Sequence, residues 1–128
     1  SIAFGDLTAT GSPATNWATG TISAKCTRNT AYNIQLNYGL SVDSNNYRRM
    51  TGVNAGEKIL YTVCQTKVSS GSVWGIDSGC VVPWRGSSFP LYSSGTGNTQ
   101  TFTMYAMTQT NYYRPDNYTD TMTATLVY

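Results

Sequence analysis

Alternation of apolar and polar positions dominates this chain, and it is most regular over Tyr118–Tyr128. Thr119, Thr121, Thr123, Thr125 and Val127 share one parity. Tyr118, Met122, Ala124, Leu126 and Tyr128 share the other, interrupted by Asp120. A period of two sends alternate side chains to opposite faces, so the pattern predicts one half-buried β-strand over 118–128. Threonine, valine and tyrosine suit a pleated surface. Because the strand runs to the last residue of this sequence, its outer edge is expected to find no later segment to pair with. An unpaired strand edge is a template for another chain.

The same period recurs upstream. Over 20–27, Ile22, Ala24 and Cys26 are expected to face inward and Ser23, Lys25 and Thr27 outward. Arg28-Asn29-Thr30 reads as a turn. Over 31–38, Tyr32, Ile34, Leu36 and Tyr38 alternate with Asn33, Gln35 and Asn37. Two alternating runs joined by a short polar link predict a hairpin. Residues 39–56 read as a loop carrying a short strand at Arg48-Arg49-Met50. Residues 57–66 are apolar on both parities, which suits a strand buried on both faces. Val73-Trp74-Gly75-Ile76 reads as a short strand, 77–98 as turn-rich, 99–108 as a strand and 109–117 as a loop. No stretch has a period of 3.6. Short strands separated by turn signals predict an all-β, immunoglobulin-like β-sandwich filling one domain, 1–128.

Composition narrows the function classes. Charged residues make up 11% of the 128, and the net charge is +2 with no histidine. The Lys and Arg residues are scattered, so no nucleic-acid partner is expected, since that would call for a basic stripe. Without histidine, Ser-His and Cys-His nucleophile pairs cannot form. The acidic residues, Asp6, Asp43, Glu57, Asp77, Asp116 and Asp120, occur singly and read as solvated loop carboxylates. There is no phosphate-binding glycine loop and no metal-ligand spacing. The expectation is a protein with no enzymatic activity, cofactor or metal. No apolar run is long enough for a membrane-spanning helix, and no leader is visible.

Cys26, Cys64 and Cys80 make an odd set. Cys64 and Cys80 flank an expected hairpin and form the expected pair, leaving Cys26 over. The aromatics allow two readings. Trp74 is expected in the core, since a strand tryptophan points inward, and Trp17 is expected to cover one end of the sandwich. Trp84 falls in an apolar loop with Val81, Val82 and Pro83, and together with Phe89 it is expected to form an exposed adhesive patch. A carbohydrate-binding sandwich using Trp74, Trp84 and the tyrosines is the rival from another class.

Phe4-Gly5, Gly20–Thr27, Tyr32–Leu36 with Gly39, Arg48-Arg49-Met50, Leu60-Tyr61, Trp74-Gly75, Thr103-Met104-Tyr105 and Tyr118–Tyr128 occur in an order that resembles the spore coat protein U family. These are the pilin domains of archaic chaperone–usher fimbriae. The resemblance spans nearly the whole chain. It implies an incomplete immunoglobulin-like fold lacking its last strand and completed by donor-strand complementation. The acceptor groove would be lined by Tyr118, Met122, Ala124, Leu126 and Tyr128. It would be filled first by a periplasmic chaperone and then, at an outer-membrane usher, by the neighbouring subunit. The implied route is through the periplasm to surface fimbriae. The family also has a strand before Phe-Gly whose cysteine bonds the equivalent of Cys26, and the sequence from Ser1 is expected to lack it. Shaft subunit, tip adhesin and cell-coat protein remain alternatives within this reading.

Overall fold

The computed structural model describes residues 2, 5, 14–68, 79–110 and 115–128. Among these are nine strands: β1 (Ala14–Lys25), β2 (Ala31–Leu36), β3 (Arg48–Gly52), β4 (Lys58–Lys67), β5 (Cys80–Pro83), β6 (Leu91–Ser94), β7 (Thr99–Thr110), β8 (Tyr118–Thr119) and β9 (Ala124–Val127). They form two antiparallel sheets. One has the order β1-β7-β4-β3-β8, with β5 added beside β4; the other is β6-β2-β9. This is the expected all-β sandwich.

The inner face of β2 supplies Tyr32, Ile34 and Leu36, at 3%, 2% and 1% exposure. Opposite lie Met50 of β3, Ile59, Tyr61 and Val63 of β4, and Met104 and Ala106 of β7. Each large aliphatic side chain buried this fully contributes about 1.5–3 kcal/mol. β4 is indeed covered on both faces. Its outward parity includes Thr62 and Cys64, at 3% and 0% exposure. They are paired in register with Met107 and Tyr105 of β7. Gly79 lies over this face, where an added Cβ would meet Met107 Sδ at 2.6 Å and the Trp17 ring at 3.0 Å. A side chain at Gly79 would therefore have to displace a thioether and an indole. Trp17 lies half-buried on the outer face of β1, with Lys67 Nζ 4.9 Å from its ring.

Two expectations need correction. The predicted hairpin between 20–27 and 31–38 does not form. β1 pairs with β7 along its whole length, whereas β2 pairs with β6 and β9. Alternation places both runs correctly face by face, but the link through Asn29 (φ 65°) carries the chain from one sheet to the other. The terminal run is also not one strand. Tyr118 and Thr119 pair with Gly52 and Thr51 in the first sheet, and Ala124–Val127 pair with β2 in the second. Residues 120–123 make the crossing.

Candidate functional site

The final strand, β9, lies at an edge of the smaller sheet, and no strand among the described residues pairs with its outer side. Asn37 N donates to Thr123 O at 3.0 Å, so that pair bonds toward β2. Antiparallel ladders alternate along the strand, so Thr125 and Val127 also turn their backbone groups toward β2. Ala124 and Leu126 turn theirs to the open side. The edge thus offers a row of main-chain donors and acceptors.

The inward parity of this strand is apolar but uncovered. Leu126 is directly opposite Ile34 on the same face. Ile34 is 2% exposed and Leu126 37%. The difference marks where the core stops, because Ile34 has β6 on its far side and Leu126 has no strand there among the described residues. Met122 is half-buried and packs on the core, Ala124 is exposed, and Tyr128 is 89% exposed. Tyr118 does not join this row. It sits across the crossing in the first sheet, half-buried against the core, with its ring 3.2 Å from the Cβ position of Gly52.

Polar residues fix the crossing, and the sequence pattern marks one of them only as the interruption at Asp120. The Asp120 carboxylate accepts from Leu40 N at 2.8 Å and from the Tyr61 hydroxyl. It fills the space that a side chain at Gly39 would need, and Gly39 has φ +78°. Burial, then the hydrogen bond and charge of Asp120, push the Tyr61 hydroxyl well above its ordinary pKa. Arg48 is 2% exposed. Its Nε donates to Asn37 O at 2.9 Å, and its Nη2 donates to Leu36 O at 3.1 Å and Trp84 O at 2.7 Å. Burial lowers the guanidinium's pKa from its ordinary value, and the nearby Asp120 charge opposes that. The Asn37 carbonyl is turned to Arg48 and is not the acceptor for Thr123 N. The Asn37 side-chain Oδ1 accepts from Thr123 N instead, at 2.8 Å.

Asp120 and Asp116 are therefore not merely solvated. Asp116 accepts from the backbone N–H groups of Asn54, Ala55 and Asn117, at 3.0, 2.9 and 2.8 Å. These bonds, led by Ala55, hold its carboxyl below the usual range.

The expected adhesive patch divides. Trp84 is 0% exposed and donates its indole N–H to Ile34 O at 2.9 Å, so it belongs to the core. The run before it is a strand, β5, not a loop. A buried indole needs a partner for its N–H, and a β2 carbonyl supplies one. Val81, Val82 and Phe89 remain exposed, at 62%, 39% and 48%, and Pro83 is half-buried. Gln65 Nε2 donates to Pro83 O, Phe89 O and Pro90 O at 3.2, 3.4 and 3.1 Å, holding these stretches side by side. Trp74 lies outside the described residues.

Cys64 and Cys80 form the expected disulfide, with Cα atoms 5.3 Å apart. Cys26 is a free, half-buried thiol. The bridge spans 16 residues, and closing a loop of that size restricts the unfolded chain by about 3 kcal/mol. Replacing both cysteines by serine is expected to lower stability by that order in a urea melt. A midpoint unchanged in the double variant would contradict this.

The sequence model of the Spore Coat Protein U domain matches residues 1–125. A comparison with curated proteins gives no match. Among solved structures, the fold is similar to a chain in the crystal structure of the CsuC–CsuE chaperone–tip adhesion subunit pre-assembly complex from archaic chaperone–usher Csu pili of Acinetobacter baumannii. The TM-score is 0.60 at 19% identity, covering 100% of this chain and 39% of that one.

Proposed function

This chain belongs to the Spore Coat Protein U domain family, and from that premise we propose that it is a non-catalytic pilus subunit domain that accepts a donor strand along β9. The observation that carries the reading is the Ile34–Leu126 pair, one face with a buried residue beside an uncovered one. An extended partner laid against Ala124–Val127 would satisfy the outer backbone groups. Its alternate side chains would cover Leu126 and the residues beside it. Main-chain bonds give such β-augmentation its affinity, and side chains in pockets give its register. The partners that fit are a periplasmic chaperone and an outer-membrane usher during assembly, and neighbouring subunits afterwards. The structural neighbour's complex with a chaperone supports that choice by fold. The location that follows is the periplasm in transit and then a surface fimbria.

The test is a thermal melt with and without a peptide of alternating valine and threonine. A strand that binds only the folded chain stabilises it by about 2.7 kcal/mol at a hundredfold excess over Kd. Leu126→Asp is expected to abolish the shift, because it places a charge where the partner's apolar side chains pack. If the chain melts at one temperature with and without every such peptide, the acceptor reading fails.

A second reading within the same family is a tip subunit. It is favoured by Val81, Val82 and Phe89, which are all exposed on stretches that Gln65 links. Such an apolar cluster suits adhesion to apolar surfaces.

A further inference from the structure

β9 reaches its place only by leaving the first sheet, and the crossing at 120–123 is held by Asn37 and Leu40 of the loop after β2 and by Tyr61 of β4. Asp120 binds Leu40 N and the Tyr61 hydroxyl. Asn37 takes both backbone groups of Thr123, through its own N–H and its Oδ1. The same Oδ1 accepts from Gly39 N at 3.1 Å, which orients it. Arg48 Nε donates to Asn37 O, beside the Asn37 side chain that serves Thr123. Beyond this clasp β9 has, among the described residues, a strand partner on one side only, and its residues Ala124 to Val127 are all exposed. A two-sided strand is kept in register by both neighbours. A one-sided exposed strand is weakly specified and frays readily.

We propose that Asn37 and Asp120 are positioning residues for the acceptor edge. They pin the start of β9, so that its free side is held in one register before any partner strand arrives. The proposal rests on the acceptor reading, but its first measurement does not. A partner recognises the paired form of β9, so its apparent affinity falls in proportion to the fraction of chains in which β9 is docked. Loss of the clasp should then slow association and leave dissociation unchanged, because a bound partner itself holds the strand.

The experiment compares the wild-type chain with Asn37→Ala, Asp120→Ala and Asp120→Asn. Hydrogen exchange is read at the Thr125 and Val127 amides, with the Tyr105 and Ala106 amides of β7 as internal reference. Binding of the valine–threonine peptide is followed by stopped flow. Asn37→Ala and Asp120→Ala are expected to speed exchange in β9 about tenfold with β7 unchanged. They should slow peptide association only by the ratio of the docked fractions before and after substitution, at constant dissociation rate. Asp120→Asn keeps an acceptor for Leu40 N and is expected to recover most of both. Unchanged β9 exchange in the two alanine variants, or an equal rise in β7, would overturn the proposal. If the wild type binds no peptide, the acceptor reading falls, and the exchange result still decides whether the clasp exists.

Discussion

Trp84→Ala is expected to destabilise the protein by about 4 kcal/mol, the largest effect of any single substitution considered. Trp84 is the largest of the fully buried side chains, at 0% exposure. Truncation leaves a cavity between the sheets and strips Ile34 O of its indole donor. Both losses fall on β2, the strand that carries β9. Urea denaturation of the variant should show a lower midpoint at an unchanged slope. A loss below about 1 kcal/mol would mean that the indole is not in the core. The consequence for function is direct. Weaker adhesion in a Trp84 variant would report unfolding, whereas Val81 and Phe89 are the positions where truncation tests surface contact without touching the core.

Arg48→Ala is expected to cost about 3–4 kcal/mol. Its guanidinium serves three carbonyls, of Leu36, Asn37 and Trp84, on two stretches that no strand ladder joins. Removing it leaves Trp84 O without this buried donor and Asn37 O without its Nε partner, while Leu36 O keeps the Gly86 N–H at 2.7 Å. Lysine is a poor substitute, because a single ammonium cannot reproduce a planar fork with separate Nε and Nη2 directions. Arg48→Lys should therefore recover less than half of the loss. Equal stability of the lysine variant and wild type in a chemical melt would contradict this account.

The chain shows how far periodicity reaches. In β2, alternation identifies Tyr32, Ile34 and Leu36 as inward, and all three are buried. In β4, apolar residues on both parities indicate double burial, and Thr62 and Cys64 are covered as well as Val63. The Cys64–Cys80 pair is legible because its two halves flank a hairpin expected from the sequence. The candidate acceptor row is partly legible too. Met122, Ala124 and Leu126 share a parity, yet Tyr118 belongs to the other sheet. Asp120 breaks the pattern at the place where the chain changes sheets, but its partners Leu40 and Tyr61 are far away in sequence.

By itself, the sequence determined the all-β class, which face of most strands is apolar, and the family. These follow from local rules, since the two-residue period is a property of a single strand. The tertiary structure alone decided which strands are neighbours, that the terminal run is split between two sheets, and that Trp84 is inside. Neighbours are chosen by where the link at 26–30 and the crossing at 120–123 carry the chain. Trp84 is fixed by the need of a buried N–H for the Ile34 carbonyl, fifty residues upstream. No window short enough to show a period contains both halves of such a contact.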